Sequence, residues 1–261
     1  MIELAATGEQ RELQEVAREF GRRELAPLAR TMDGGDHGPG AVAAYRAMFA
    51  KAAGIGLHAL LIGTEYGGTG GTCVDNVLVQ EELGAVDVGL AGSINLCTCM
   101  PAMIAAGAGE ERGGQWLAEL AAADDRILAG ALNEPDVAGS ELFCPLPDPS
   151  LGVRTTARRD GHDYVITGTK AAWVTNAAVA SEFMVFARTD RERGPLEGTS
   201  VFYVPSDTPG LAVGPPTALL GMRSSWHAEV VLDDVRVGAE RRIGPEGGGL
   251  GLMGAAAAPM A

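Results

Sequence analysis

The feature that most constrains the fold is a change in hydrophobic periodicity near Arg126. Before that residue, apolar side chains recur three and four positions apart, which is the spacing of amphipathic helices. After it, short segments alternate apolar and polar residues and are separated by Gly, Pro and Asp, which is typical of strands. This order predicts an α+β fold, in which an all-helical part precedes an antiparallel β-sandwich or barrel. It disfavours a parallel sheet with interleaved helices.

The helical part begins with a capping signal. Thr7 and Gln10 fit a capping box, and an amphipathic helix follows them. The same periodicity predicts further helices at residues 41–53, 73–85, 90–106 and 112–122. Glycines dominate residues 65–72, so a tight loop is expected there.

The second half contains a clear hairpin signal. Asp160 and Gly161 form a turn between two alternating segments. More strands are predicted within residues 182–189, 199–206, 210–215 and 226–237, and a Gly/Ala-rich helix near Leu250. The sequence therefore divides into an N-terminal helical domain (1–123), a middle β domain (124–240) and a final segment (241–261) that begins another helix.

Composition limits the function. A net charge of −14 disfavours nucleic-acid binding, because no basic face compensates the acids. Residues 88–109 are uncharged and long enough to cross a bilayer, but Asn95, Pro101 and many small residues favour a buried helix pair. The N-terminus becomes charged at once, and the four cysteines are interpreted as reduced thiols rather than zinc ligands. We expect a cytoplasmic protein with neither a membrane span nor a metal site.

Several motifs occur together and in order. The string LNEPDVAGSE at 132–141 resembles the T-E-P-x-A-G-S-D turn of the flavin-dependent acyl-CoA dehydrogenase family. GTKAAWVTNA at 168–177 resembles the G-x-K-x-W-I-T-N segment of that family, and residues 219–237 resemble its G-M-R strand. The resemblance covers essentially the whole chain. It implies an oxidoreductase that uses FAD for the α,β-dehydrogenation of an acyl thioester.

The resemblance gives the junction turn a role in flavin binding. Leu132 and Asn133 would contact the pyrimidine edge of the flavin. Ser140 would reach the pyrophosphate and the pantetheine region of the substrate. Asn133 replaces the usual Thr but still offers a donor and an acceptor. Without the other motifs, the turn would be interpreted as an ordinary link between a helix and a strand.

The second motif would complete the cofactor site. By the resemblance, Trp173 packs along the isoalloxazine ring, Val174 belongs to the same binding segment, and Thr175 hydrogen-bonds flavin N5, the atom that accepts hydride. Taken alone, Trp173 is an ordinary core aromatic and Thr175 an ordinary strand residue. Lys170 is predicted to be a solvated strand residue.

The acyl chain would occupy a cavity lined by a buried helix that carries Leu96, Cys97 and Met100. Simple helix packing explains each of these residues equally well. His58 and His227 are interpreted as structural residues. Arg223 is expected in a surface ion pair or, less favoured, at the ligand entrance.

The sequence also departs from the family pattern. The catalytic glutamate of the family belongs to the C-terminal helices, so the base is expected outside this sequence, and the chain alone is expected neither to dehydrogenate thioesters nor to hold FAD tightly. Trp226 and His227 replace a small polar pair. The chain could be part of a longer enzyme, one half of a split enzyme, or a non-catalytic homologue. A flavin monooxygenase of the same fold is the alternative reaction class.

The resemblance also implies the partners. The substrate would be an acyl thioester of coenzyme A or of acyl carrier protein, since both present the same phosphopantetheine arm. A homo-oligomer, either a dimer or a tetramer, is expected, or else a partner chain that supplies the C-terminal helices.

Overall fold

A computed structural model of the chain describes residues 6–35, 37–137 and 139–257. Ala138 of the junction motif lies outside the described residues, as do residues 1–5 of the predicted helical domain and residues 258–261 of the predicted C-terminal segment.

The predicted helices are confirmed, with small shifts at their ends. They are α1 (Gly8–Phe20), α2 (Ala26–Asp33), α3 (Pro39–Gly54), α4 (Cys73–Gly84), α5 (Val88–Cys99), α6 (Pro101–Gly107) and α7 (Glu110–Ala122). The capping box of α1 forms as predicted, since Gln10 N donates to Thr7 Oγ1 at 3.1 Å and Thr7 N donates to Gln10 Oε1 at 3.0 Å. Helix α2 was not predicted, and it continues from α1 through a π-helical turn at Gly21–Leu25.

The uncharged stretch folds as the helix pair α5 and α6. Residues Val88–Gly107 are long and apolar enough to cross a bilayer, but 61% of their most apolar window is buried within the protein. Two of the buried residues in α5 are polar, and both have partners: Thr98 Oγ1 bonds Leu57 O at 3.0 Å, and Ser93 Oγ bonds the hydroxyl of Tyr45 at 2.5 Å. This burial supports the core-helix interpretation.

The second half contains the predicted strands. They are β1 (Leu128–Ala131), β2 (Thr156–Asp160), β3 (Asp163–Val174), β4 (Glu182–Arg188), β5 (Thr199–Pro205), β6 (Leu211–Val213), β7 (Ala228–Gly238) and β8 (Arg242–Ile243). The hairpin between β2 and β3 turns at the predicted Asp160-Gly161 pair. Short helices α8 (Gly139–Leu142) and α9 (Pro195–Gly198) interrupt the connections, and α10 (Gly249–Ala257) follows β8.

The fold class is confirmed, but the sheet is mixed rather than purely antiparallel. Its strand order is β6-β7-β3-β2-β4-β5-β8, with β1 beside β4. Two pairings, β1 with β4 and β2 with β4, are parallel. Parallel neighbours need a long connection, and residues 132–181 separate β1 from β4. The alternation within each strand carries no information about this pairing.

Buried side chains form two clusters. One lies within the β part and includes Phe183 and Phe202. The other joins the helices to the sheet and includes Tyr45, Ile94 and Trp226. Helix α5 packs against β1 within the second cluster, and β4 pairs with β1 in the sheet. The junction turn therefore follows a strand that is fixed by both α5 and β4.

Candidate functional site

The junction turn and the second motif lie side by side. Ala171 N in β3 donates to Asn133 O at 2.9 Å. The ammonium of Lys170 bonds Leu132 O at 3.4 Å. The chain therefore leaves β1 and runs directly along the end of β3, so residues about 40 positions apart in the sequence share one surface.

A buried ion pair fixes this arrangement. Lys170 and Glu134 are 0% and 2% exposed, and their charged atoms are 2.7 Å apart. Lys170 also donates to Phe186 O at 2.6 Å, and Glu134 accepts from Thr155 N at 2.9 Å and from Arg154 N. The prediction that Lys170 is solvated is wrong. A charge survives burial only with such partners, and these partners come from segments distant in the sequence.

The ionisation of the pair follows from its surroundings. Burial alone would raise the pKa of Glu134, but the Lys170 ammonium and the donors at Thr155 and Arg154 outweigh it and hold that pKa below its usual range. Burial lowers the pKa of Lys170 to about 8, although Glu134 opposes the shift. Both groups are therefore charged at neutral pH.

Acid is expected to destabilise the protein through Glu134. A carboxyl whose pKa is lower in the folded state stabilises that state above its unfolded pKa of about 4.3, and the stabilisation is lost as the pH falls through the folded value. We expect the urea midpoint to fall steeply below about pH 4. Measured midpoints between about pH 7 and pH 3 test this, with the double variant Glu134→Gln/Lys170→Met as the control. An equally steep fall in that variant would contradict the assignment to Glu134.

The second motif ends in an accessible aromatic ring followed by a polar side chain. Trp173 is 48% exposed, which is unusual for so large a ring. Val174 is buried, so it can reach a ligand only through its backbone, whereas Thr175 is half-buried. Within the described residues, the Asn133 side-chain amide has no hydrogen-bond partner. This part of the protein thus offers a half-exposed aromatic ring, with polar side chains on the same segment and on the adjacent junction turn.

Asn176 was not predicted to have a role in the site. It is 0% exposed and has a left-handed backbone conformation with φ 65°. Its amide nitrogen donates to Ser93 O at 3.0 Å and Leu128 O at 2.9 Å, and its oxygen accepts from Ser93 Oγ. The signal was present, because asparagine tolerates the left-handed region and closes the same motif. Asn176, which directly follows Thr175, thus bonds to both α5 and β1.

Ser140 lies apart from this cluster. It is exposed in the short helix α8, which follows the junction turn. The described contacts join it neither to Trp173 nor to Thr175. Its predicted contact with pyrophosphate therefore concerns a different part of an extended ligand than the ring.

The predicted acyl-chain residues divide into two groups. Leu96 and Met100 approach the same point of β1, because a Cβ added at Gly130 would lie 3.8 Å from Leu96 Cδ1 and 3.8 Å from Met100 Sδ. Cys97 instead points into the core, where its sulfur accepts from Leu128 N at 3.4 Å. Burial raises the pKa of the Cys97 thiol to about 12, so it stays protonated. Its position supports packing rather than lining of a cavity.

The remaining singled-out residues have clear partners. His58 is buried, with Nε2 3.0 Å from Leu120 O. Arg223 forms the expected surface ion pair, with Asp33 at 3.6 Å. His227 is also buried, but its ring contacts the site, because Nε2 lies 3.1 Å from Thr175 Oγ1.

Comparison with known proteins identifies the two parts of the chain. Residues 7–124 match the N-terminal domain of acyl-CoA dehydrogenases, and residues 131–235 match the middle domain. Cyclohex-1-ene-1-carbonyl-CoA dehydrogenase of Geobacter metallireducens is 35% identical over 243 residues, 93% of this chain and 60% of the relative. The mitochondrial short-chain specific acyl-CoA dehydrogenase of Bos taurus is 33% identical over 237 residues, 90% of this chain and 53% of the relative.

Solved structures give the same result. An acyl-CoA dehydrogenase from Bacillus anthracis, complexed with FAD, aligns with a TM-score of 0.82 and 26% identity, covering 97% of this chain and 41% of that one. This chain spans only 60% of the length of the Geobacter metallireducens relative and 53% of the length of the Bos taurus relative. The two matched domains together cover most of the chain, in the order that the fold requires. The chain belongs to the acyl-CoA dehydrogenase family.

Proposed function

We propose that this chain contributes the FAD site of a flavin-dependent enzyme that dehydrogenates an acyl thioester between its α and β carbons. The isoalloxazine ring is held by Leu132, Asn133, Trp173, Val174 and Thr175. Ser140 reaches the pyrophosphate and the pantetheine arm. Bound FAD supplies the acceptor for the two electrons removed from the substrate. Leu96 and Met100 contact the acyl chain beside Gly130.

The hydrogen bond between Ala171 N and Asn133 O is the observation that carries this proposal. It places the junction turn beside β3, two residues before Trp173. A flavin ring needs a flat apolar surface and polar groups at its edge, and Trp173, Asn133 and Thr175 fit both needs. The preorganisation comes from Lys170 and Glu134, which hold the turn without touching the ligand.

Glu134 directly follows Asn133 in the sequence, but its carboxylate is unsuited to removing the α-proton. A general base needs a free lone pair and a pKa near the working pH. Glu134 accepts from Lys170 and from two backbone N–H groups, and these contacts hold its pKa low. Glu134 is therefore not assigned as the base, and we propose that the base is supplied from outside this sequence.

The remaining assignments belong to the same proposal. The phosphopantetheine arm is common to coenzyme A and acyl carrier protein, so either can carry the substrate. We propose a cytoplasmic oligomer, with domain boundaries near residues 123 and 240. Observation of a hydroxylated product in place of an enoyl thioester would instead support the flavin monooxygenase alternative.

Removing the ring at position 173 is expected to weaken FAD binding about 10- to 100-fold, because stacking on an aromatic side chain contributes roughly 1–3 kcal/mol. Since Trp173 is about half exposed, Trp173→Ala should lower the urea midpoint less than the loss of a fully buried ring would. FAD titration followed by flavin fluorescence measures the effect. Trp173→Phe, which keeps a ring, is the matched control and should retain most of the affinity.

The same titration tests the distant end of the site. Ser140→Ala should weaken FAD binding about 5-fold, which corresponds to one hydrogen bond of about 1 kcal/mol. Ser150→Ala, at an exposed serine in the following loop, should have no effect. If Trp173→Ala and Ser140→Ala both bind FAD as the wild type does, the proposed site is wrong.

A further inference from the structure

A chain of hydrogen bonds connects Thr175 to the loop before β7. Thr175 Oγ1 lies 3.1 Å from His227 Nε2, and His227 Nδ1 lies 2.7 Å from Ser225 Oγ. Ser225 Oγ in turn donates to Met222 O at 2.6 Å. Three side chains from two distant segments therefore form one continuous line that ends at a backbone carbonyl.

The carbonyl end sets the direction of every bond in this line. A carbonyl can only accept, so the single hydroxyl proton of Ser225 is committed to Met222 O. Ser225 Oγ must then accept from His227, which places the ring proton on Nδ1. In a neutral imidazole the other nitrogen carries a lone pair, so His227 Nε2 accepts the hydroxyl proton of Thr175.

We propose that His227 is a positioning residue that commits the Thr175 hydroxyl proton to itself, so that Thr175 offers a bound ligand only an acceptor. The proposal rests on the proposed function, since the ligand at Thr175 is taken to be the flavin ring. A threonine hydroxyl normally rotates to suit its partner. Here the buried His227 ring sets the orientation of the Thr175 hydroxyl.

The surroundings keep this line in place. Met222 has a left-handed backbone conformation, with φ 53°, and its carbonyl also accepts from Ser225 N at 3.0 Å. His227 O accepts from Thr217 N at 2.7 Å. On the helical side, Ser224 Oγ donates to the Asp87 carboxylate, which also caps α5. The loop is therefore fixed to both halves of the protein.

Burial supports the neutral form of the ring. His227 is 7% exposed, and this burial lowers its pKa below the usual value. Its two ring nitrogens bond hydroxyl groups and no carboxylate, so no anion favours a second ring proton.

An acceptor at this position discriminates between the two redox forms of the cofactor. Position N5 of the flavin ring carries a hydrogen in the reduced form and only a lone pair in the oxidised form. If N5 lies at Thr175, as the family resemblance implies, Thr175 would accept a hydrogen bond from the reduced form and would have no proton to donate to the oxidised form. His227 is thus expected to favour binding of reduced over oxidised FAD, which makes the bound cofactor a stronger oxidant.

The first test needs no flavin. Long-range ¹⁵N–¹H spectra of the histidine-labelled chain distinguish the two neutral tautomers, and His227→Gln identifies the signal. We expect the proton on Nδ1 in the wild-type chain, and loss of this preference in Ser225→Ala. A proton on Nε2 in the wild-type chain would overturn the proposal, whether or not the chain binds FAD.

The second test measures the affinity for reduced FAD divided by that for oxidised FAD. His227→Leu frees the Thr175 proton, and we expect this ratio to fall about 10-fold, equivalent to a potential about 30 mV more negative. His227→Gln places an amide oxygen near Nε2 and should restore most of the ratio. In a Thr175→Val background, His227→Leu should have no further effect.

The outcomes separate the two proposals. The chain alone is expected to hold FAD only weakly, so the proposed function fails only if the wild-type chain binds neither form even at a large excess of FAD, and the tautomer measurement then decides the role of His227. If FAD binds but His227→Leu leaves the ratio unchanged, the positioning role is wrong while the proposed function stands. A ratio that falls equally with and without the Thr175 hydroxyl would also contradict the positioning role.

Discussion

Replacing Lys170 with methionine is expected to lower the free energy of unfolding by about 3–5 kcal/mol, because it leaves the Glu134 carboxylate buried without its counter-ion. Folded domains of this kind are stable by only about 5–15 kcal/mol, so the loss is a large fraction of the total. Methionine is unbranched like lysine, only one atom shorter, and fills most of its volume, so the loss of charge dominates over the opening of a cavity. Urea denaturation at neutral pH measures the change.

Two controls make this result specific. In the double variant Glu134→Gln/Lys170→Met, the neutral amide can still accept from Thr155 N, so the double variant should be more stable than Lys170→Met alone. Arg236→Met removes an ion pair with Asp160 and Asp163 that is about half exposed, so solvent screens it and its loss should cost far less than the loss of Lys170. A loss of similar size in Lys170→Met and Arg236→Met would show that Lys170 is not effectively buried.

The sequence predicted those features that depend on neighbouring residues. The capping box of Thr7 and Gln10 and the hairpin at Asp160-Gly161 each involve residues at most three positions apart, so their side-chain types suffice to identify them. Trp173 was assigned to a ligand on the strength of its motif, and its exposure is compatible with that role. Local chemistry and periodicity were sufficient for these elements.

The features that escaped prediction depend on distant partners. Lys170 is stabilised by Leu132 O and Glu134, 38 and 36 positions earlier, and a lysine on a strand gives no sign of such partners. His227 bonds Thr175 across 52 positions, and only the folded chain makes the replacement of a small polar residue by histidine meaningful. The parallel pairing of β1 with β4 likewise joins distant segments, since Leu128 pairs with Glu182, and alternation within either strand gives no sign of it.

Asn176→Ala is expected to lower the free energy of unfolding by about 4 kcal/mol or more. It removes the donors to Ser93 O and Leu128 O and the acceptor of Ser93 Oγ, at a site that water does not reach; each buried group left unpaired costs about 1–3 kcal/mol. Alanine also pays roughly 1 kcal/mol for a left-handed backbone conformation. Urea denaturation again gives the total.

Two further substitutions at this position separate the terms. Asn176→Gly adopts the left-handed conformation freely, so it should be about 1 kcal/mol more stable than Asn176→Ala if that conformation persists. Asn176→Asp keeps the acceptor for Ser93 Oγ but turns a carboxylate towards Ser93 O and Leu128 O, so it should be at least as unstable as the alanine variant. Asn176 directly follows Thr175 and anchors the chain at that point. All three variants should therefore also bind FAD more weakly. A stable Asn176→Asp variant with wild-type FAD affinity would show that these bonds hold neither the fold nor the proposed site.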